Sequence, residues 1–234
     1  QIEPKVLFVA DGYLYNGKQH DVLERVREIA ERLPSLRKVV VVPYLDPRPD
    51  ISDIPKAVLL EEWLRRHTPG DIAWAQLPFD HPAYILFTSG TTGKPKCIVH
   101  GAGGTLLAAL KMYKLQFDVR PGDHFFYYTT TNWVMWNLLF HGLAAEATVM
   151  LYDGSPFARE GRILFDFAQR ERFSHFGTSA KFIDAIAKRG VKPAESHPLP
   201  GLRMIVSTGS PLVPESYAYV YRDVKQDVCL SSIS

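Results

Sequence analysis

Short apolar runs that alternate with helix-length amphipathic segments constrain the fold of this chain more than any other feature. Residues 6–10 are a continuous apolar run, and residues 38–43 contain four consecutive valines, which is typical of strands buried in a parallel sheet. Residues 21–33 lie between them and carry apolar side chains at helical spacing. The pattern predicts an α/β fold in which a doubly wound, mostly parallel sheet has helices on both faces.

The same alternation continues to the end of the chain. Further strands are predicted at residues 83–88, 124–129, 147–152, 175–176, 202–207 and 229–234, and helices at residues 57–66, 103–115, 132–145, 162–170, 181–188 and 214–224. The strand at 83–88 runs directly into a glycine-rich segment. That segment is therefore expected to lie at the end of a strand.

Composition argues against several classes of function. The net charge is +2 and no run rich in lysine and arginine is present, which argues against nucleic acid as a partner. No apolar stretch approaches the ~18 residues that a membrane span requires. Cys97 and Cys229 match no metal-ligand spacing, and so few thiols suit a reducing compartment. We therefore predict a cytoplasmic protein whose partners are small molecules.

Residues 88–96, Thr-Ser-Gly-Thr-Thr-Gly-Lys-Pro-Lys, combine hydroxyls, glycines and two lysines in one short segment. Glycine lets a backbone approach its ligand closely, and consecutive N–H groups in such a turn bind anions. The hydroxyls can donate to phosphate oxygens or help to hold Mg²⁺. The predicted triphosphate ligands are Thr88, Ser89, Gly90, Thr91, Thr92, Gly93, Lys94 and Lys96, with Thr91 as the candidate contact to magnesium.

Two other nucleotide motifs do not fit. The P-loop of nucleoside triphosphatases has four residues between its glycines and a hydroxyl after its lysine, whereas two residues separate Gly90 from Gly93 and Pro95 follows Lys94. A dinucleotide fingerprint at residues 101–106 lacks its last glycine. An ordinary polar loop remains the alternative, but the nine-residue string is too specific for it. No Ser/His/Asp or Cys/His triad is evident.

The string resembles the signature of the adenylate-forming superfamily, which includes the acyl-CoA synthetases. Four further segments resemble its acetoacetyl-CoA synthetase branch: residues 129–137 (Thr-Thr-Thr-Asn-Trp-Val-Met-Trp-Asn), 151–156 (Leu-Tyr-Asp-Gly-Ser-Pro), 176–181 (Phe-Gly-Thr-Ser-Ala-Lys) and 207–212 (Ser-Thr-Gly-Ser-Pro-Leu). The resemblance runs along nearly the whole chain but covers only the middle of the family's length. Residues 1–234 are therefore expected to be part of one AMP-binding (adenylation) domain.

The resemblance implies a reaction in two steps. ATP and a carboxylate give acyl-AMP and pyrophosphate, and the thiol of CoA then displaces AMP. The implied ligands are ATP, Mg²⁺, CoA and acetoacetate. Gly209, Ser210 and Pro211 are assigned to the adenine, Asn132 and Trp133 to the acyl pocket, and Thr178 and Ser179 to the acyl and pantetheine path. The catalytic groups are expected beyond Ser234, so this chain alone is predicted not to complete the reaction.

Several assignments stay open at this point. The family usually has glycine where Asn132 stands, and either Asn132 or Asn137 could bind a keto oxygen. Trp133 fits a core or a pocket equally, whereas Trp136 is interpreted as core. His100 is interpreted as a structural histidine, with a phosphate or carboxylate contact as the alternative. A ligase for propionate or butyrate, and a non-catalytic nucleotide-binding module, are the competing functions.

Overall fold

The structure, a computed structural model, describes residues 2–88 and 93–233. The chain divides into two units, residues 1–76 and 77–234, and each unit has its own parallel sheet and its own antiparallel hairpin. The α/β class and the parallel sheet with helices are confirmed. The parallel strands form two separate sheets, one in each unit, rather than a single sheet.

The first unit consists, in chain order, of β1 (Val6–Ala10), β2 (Gly12–Tyr15), β3 (Lys18–Asp21), α1 (Leu23–Arg32), β4 (Lys38–Val42), β5 (Ala57–Leu59) and α2 (Leu60–Leu64). Strands β1, β4 and β5 form a parallel sheet with β4 in the centre. Val39, Val40 and Val41 have no exposed surface, because a central strand is covered on both faces. This burial explains the continuous valine run of β4.

Two predictions for the first unit were wrong or incomplete. Residues 57–66 were predicted as one helix, but β5 occupies the first part and pairs with β4. Strands β2 and β3 form an antiparallel hairpin that was not predicted. Its signal was the Asn16-Gly17 pair, since both residues have positive φ values of 51° and 77°, the conformation that a two-residue hairpin turn needs.

The second unit contains β6 (Pro82–Phe87), β7 (Cys97–Gly101), α3 (Ala102–Lys111), β8 (His124–Tyr127), α4 (Val134–His141), β9 (Thr148–Met150), α5 (Ala158–Gly161), α6 (Ile163–Arg170), β10 (His175–Ser179), α7 (Ala180–Lys188), β11 (Met204–Thr208), α8 (Pro214–Tyr219) and β12 (Cys229–Ser232). Helix α3 continues as a wider π-helical turn over Met112–Gln116, α8 over Val220–Val224, and α4 ends in a 3₁₀ turn over Gly142–Ala145. Five of the strands form a parallel sheet in the order β12-β11-β10-β8-β9.

Alternate side chains of this sheet enter two separate cores, because neighbouring residues of a strand point to opposite faces. On one face Phe176 and Ile205 pack with apolar residues of α6, α7 and α8. On the other face Phe125 and Val206 pack with α4 and with the end of the extended α3, where Tyr113 is fully buried. Helices therefore cover both faces, as the sequence predicted.

Strands β6 and β7 pair with each other in antiparallel orientation and stand apart from the five-stranded sheet. The strand predicted at 83–88 therefore exists, but it pairs in an antiparallel hairpin outside the parallel sheet, and β7 was not predicted. The connection explains this outcome, because only residues 88–96 separate the two strands. Parallel neighbours need a crossover of a dozen or more residues, whereas antiparallel neighbours need only a turn.

Candidate functional site

The order of the five-stranded sheet defines a crevice at one of its edges. The chain passes from β8 outward to β9, and then returns to place β10, β11 and β12 on the other side of β8. The order therefore reverses between β8 and β10, and open α/β sheets bind ligands at such a point, outside the carboxyl ends of the strands. Asn132 and Trp133 follow β8, Ser179 ends β10, and Gly209 follows β11. The predicted acyl and adenine residues thus share this edge.

The predicted phosphate loop connects β6 to β7. Ser89, Gly90, Thr91 and Thr92 lie outside the described residues, so the structure shows only the two ends of the loop. The backbone N–H of Thr88 donates to the Lys96 carbonyl at 3.0 Å. The N–H of Lys96 in turn donates to Oγ1 of Thr88 at 3.1 Å. These bonds close the neck of the loop, and Lys94 and Lys96 are exposed beside it.

Gly103, in the first turn of α3, has a packing role. The N–H of Gly103 donates to the carbonyl of Phe79 at 2.9 Å. A Cβ at Gly103 would lie 2.2 Å from the Phe79 ring, and real Cβ atoms do not approach a neighbour so closely. The Gly101-Ala-Gly-Gly run therefore brings the start of α3 against Phe79.

An open cavity of about 710 Å³ lies between the β6–β7 hairpin, α3, α4 and the end of β12. Tyr84 and His100 line it from the hairpin, Asn137 and His141 line it from α4, and Ser232 closes it from β12. Amide, imidazole and hydroxyl groups thus face a space that also contains apolar surface, which is the usual character of a small-molecule site. The His100 ring packs against the Tyr84 ring in this wall, with ring centroids 4.9 Å apart.

The structure separates the two candidate asparagines and the two tryptophans of residues 129–137. Asn137 lines the cavity, whereas Asn132 lies on the exposed segment before α4. Trp133 immediately precedes α4 and is 65 % exposed, so it is not a core residue within the described part of the chain. Trp136 packs against the core beneath α4, which confirms its interpretation as core.

His141 is a titratable residue in the cavity wall, and its protonation equilibrium is shifted. Burial lowers the pKa of its imidazole, because a half-buried ring loses the hydration that stabilises its charged form. His141 is therefore neutral near pH 7. The wall of the cavity that α4 contributes carries no formal charge under those conditions.

The Phe-Gly-Thr-Ser segment at the end of β10 is constrained by packing. A Cβ at Gly177 would lie 2.1 Å from the ring of Tyr127 on β8. The hydroxyl of Tyr127 donates to the Thr178 carbonyl at 3.1 Å, and Oγ of Ser179 accepts the N–H of Phe182 as the N-cap of α7. The sequence analysis missed Tyr127, because nothing in an apolar strand indicates which aromatic ring will pack against Gly177 and bond the Thr178 carbonyl.

The hydroxyl of Thr178 points into the protein rather than toward the edge of the sheet. Thr178 is 1 % exposed and lines a cavity of about 10 Å³ together with Phe165 and Ile205. Its Oγ1, like Oγ of its cross-strand partner Ser207, has no hydrogen-bond partner among the residues that the structure describes. The backbone of Thr178 thus lies at the strand end, but its hydroxyl faces the core.

The predicted adenine turn follows β11. Gly209 has a φ of 90°, a value that glycine adopts without the strain that a Cβ would introduce. Ser210 and Pro211 are exposed. The turn is therefore accessible at the same edge of the sheet as the segments after β8 and β10.

A hydrogen-bonded series of serine, histidine and aspartate is present, although none was evident in the sequence. Oγ of Ser196 lies 2.8 Å from Nδ1 of His197, and Nε2 of His197 lies 3.0 Å from Oδ1 of Asp166. The other oxygen of Asp166 accepts from Arg159 at 2.8 Å. Ser196 and His197 are neighbours in the chain, so we interpret the series as a link between α6 and the segment after α7.

Residues 2–88 and 93–233 contain no group of three or more histidine, cysteine or acidic side chains placed to hold a metal ion. None of the helices in these two ranges has the length and apolar character to cross a membrane. Thr91, the candidate magnesium contact, lies outside the described residues.

The chain is similar to known proteins in its family, its sequence and its structure. A model of the family described as AMP-binding enzyme matches residues 1–229. The acetoacetyl-coenzyme A synthetase of Rhizobium meliloti (strain 1021) is 50 % identical over 235 residues, which cover 100 % of this chain and 36 % of that protein. The acetoacetyl-CoA synthetase of Danio rerio is 47 % identical over 240 residues, with the same coverage of 100 % and 36 %.

A solved structure agrees with these relatives. The acetoacetyl-CoA synthetase from Streptomyces lividans superimposes with a TM-score of 0.90 at 38 % sequence identity, and the match covers 100 % of this chain and 36 % of that one. The chain therefore spans 36 % of the length of each of these three proteins.

Proposed function

Because the chain belongs to the AMP-binding enzyme family, we propose that it supplies the ATP-binding and acyl-binding surfaces of an AMP-forming acyl-CoA ligase that activates acetoacetate. The observation that carries the proposal is the placement of the phosphate-loop neck, the cavity and the adenine turn in one unit, residues 77–234. The names and identities of the relatives support acetoacetate as the acid. CoA is the acceptor in the second step.

ATP is bound by the loop and by the turn after β11. Backbone N–H groups and hydroxyls of residues 88–93 bind the β- and γ-phosphates, while Lys94 and Lys96 offset their charge. Gly209, Ser210 and Pro211 contact the adenine. Mg²⁺ takes oxygen ligands and is usually held by one or two protein groups and the substrate phosphates, which fits a threonine-rich loop with Thr91 as a ligand. The ion would neutralise charge on the departing pyrophosphate.

The acid occupies the cavity beside α4. Asn137 has an amide that can donate to the keto oxygen of acetoacetate, and it lines the cavity. Trp133 is exposed where α4 begins, and Asn132 and Trp133 directly precede Val134, which lines the cavity. Thr178 and Ser179 lie at the end of β10, where they flank the path of the acyl group and pantetheine through their backbone.

The reaction requires positioning more than acid–base chemistry. A carboxylate oxygen attacks the α-phosphorus of ATP and pyrophosphate leaves; the CoA sulfur then attacks the acyl carbonyl and AMP leaves. This chain contributes by holding the carboxylate in line with the α-phosphate and by stabilising the charge on the phosphates. The small-molecule substrates, together with only two cysteines in 234 residues, support action in the cytoplasm.

The first test is pyrophosphate exchange by the protein expressed at the full length that its gene encodes. We expect exchange between pyrophosphate and ATP to require Mg²⁺ and to be faster with acetoacetate than with propionate or butyrate. The Thr91→Ala, Thr92→Ala double variant should lose binding of ATP. Faster exchange with propionate or butyrate than with acetoacetate would show that acetoacetate is not the preferred substrate. ATP binding without exchange for any acid would instead favour a nucleotide-binding module.

A further inference from the structure

Tyr84 occupies an unusual place in the wall of the cavity, since it contacts two histidines that come from different elements. Its ring lies 4.9 Å from the ring of His100 with an interplanar angle of 31°, and 6.1 Å from the ring of His141 with an angle of 43°. Aromatic rings at such centroid distances attract each other. All three side chains are half-buried and line the cavity.

The two histidines belong to the two segments that the proposed function uses. Tyr84 and His100 are cross-strand partners in the β6–β7 hairpin, and the neck of the phosphate loop closes between Thr88 and Lys96 at the other end of that hairpin. His141 is the last residue of α4, and Asn137 lies one turn earlier on the same helix. Tyr84 therefore provides a ring contact between the phosphate-loop hairpin and the acyl-binding helix.

We infer that Tyr84 is a positioning residue that couples binding of the acid in the cavity to binding of ATP at the phosphate loop. The inference rests on the proposed function, because it assigns the cavity to the acid and the loop to ATP. Tyr84 itself takes no part in the chemistry. It holds the hairpin in register with α4.

The physical reason for coupling is the shared stiffness of these elements. An acid in the cavity contacts Tyr84 and α4 together and so restricts the hairpin against the helix. The paired strands of the hairpin carry this restriction over the four residues from Tyr84 to Thr88, a distance of ~14 Å at the usual rise per residue. A second ligand that needs the same ordering then loses less conformational entropy on binding, which gives positive coupling. By linkage the effect is reciprocal.

The test measures the dissociation constant of α,β-methylene-ATP with Mg²⁺ by calorimetry, with and without saturating acetoacetate. This analogue cannot release pyrophosphate, so the measurement separates binding from reaction. The protein is used at the full length that its gene encodes. The variants are Tyr84→Leu, which removes the ring, Tyr84→Phe, which keeps it, and His141→Gln, which removes the ring contact from α4. Phe140→Leu is the matched control, because Phe140 is 58 % exposed beside His141 and is not part of the cavity wall.

We expect acetoacetate to lower the dissociation constant of the analogue about fivefold or more in the unaltered protein, within the usual range of coupling between sites. The coupling ratio is the dissociation constant without acetoacetate divided by the constant with it. This ratio should fall to about one in Tyr84→Leu and be reduced in His141→Gln. It should be retained in Tyr84→Phe and Phe140→Leu. A purely structural role would change the melting temperature but not this ratio.

Two results would overturn the inference. One is a ratio near one in the unaltered protein, and the other is an unchanged ratio in folded Tyr84→Leu, or in His141→Gln if Tyr84→Leu does not fold. Either result leaves the proposed function standing as long as the protein activates an acid. Failure to bind the analogue at all would instead contradict the proposed function, and this inference with it.

Discussion

Asp11 shows how much a single side chain contributes to the first unit. Its carboxylate is 2 % exposed and accepts the backbone N–H groups of Tyr44, Leu45 and Asp46 at 2.7 to 3.1 Å. Burial alone would raise the pKa of Asp11. The backbone N–H donors lower this pKa by more than burial raises it, so the pKa lies below its ordinary value. Asp11 lies beside three other aspartates in a pocket, yet its oxygens are bonded to the backbone after β4.

Replacing Asp11 by Asn should therefore destabilise the first unit by about 1–3 kcal/mol at pH 7, because backbone N–H groups lose a charged acceptor. The folded pKa lies below the unfolded value, so the stabilisation is fully present above the unfolded pKa of about 4. It is lost as the pH falls through the folded pKa. Urea unfolding of the unaltered protein and of Asp11→Asn at several pH values measures how the free energy of unfolding of each depends on pH. An equal loss of stability in both on acidification would show that Asp11 is not the group responsible.

Gly177 is the other residue whose identity the packing determines. Its missing side chain admits the ring of Tyr127, which would otherwise lie 2.1 Å from a Cβ. Gly177→Ala should destabilise the protein by about 1–3 kcal/mol, the usual cost of overpacking a core. The matched control is Gly104→Ala in α3, where a Cβ would meet nothing within 4 Å. That change should be neutral or stabilise by up to about 1 kcal/mol. Equal melting temperatures for the two variants would contradict the account.

At the scale of elements, the sequence identified buried strands better than hairpins. Strands β4 and β11 were predictable, because a strand covered on both faces must be continuously apolar. Strand β3 is Lys-Gln-His-Asp, and nothing in that composition indicates a strand; only the turn before it does. Strand β7 follows the phosphate loop and was not predicted, since its pairing with β6 depends on the closure of a loop rather than on a local pattern.

The hairpin leads to a prediction about Thr88. Its hydroxyl accepts the N–H of Lys96 and closes the neck of the phosphate loop. Thr88→Val keeps the shape but removes the acceptor, so we expect the dissociation constant of MgATP to rise about 2- to 10-fold, the equivalent of one hydrogen bond. Thr88→Ser keeps the hydroxyl and should bind almost as the unaltered protein does. Calorimetric titration of the three proteins makes the comparison. Tight binding by Thr88→Val would show that the neck does not need this bond.

At the scale of the whole molecule, residues far apart in sequence meet at one edge of the second unit, and this could be anticipated only in part. The class of fold followed from the alternation of strands, and the assignment of the turn after β11 to the adenine came from the resemblance and stays a prediction. The cavity did not follow, because it arises where α3, α4, the hairpin and β12 meet. Its geometry favours Asn137 over Asn132 as the partner of a keto oxygen, a choice that the sequence left open.

The central claim is that this cavity recognises a keto acid. The most direct test compares kcat/KM for acetoacetate and for butyrate in the full-length protein and in its Asn137→Leu variant, with Asn132→Gly as the control. We predict that the unaltered protein prefers acetoacetate and that Asn137→Leu reduces this preference about 2- to 10-fold, the equivalent of one hydrogen bond. Asn132→Gly should change it little. A preference for butyrate in the unaltered protein, or an unchanged preference in Asn137→Leu, would contradict the account.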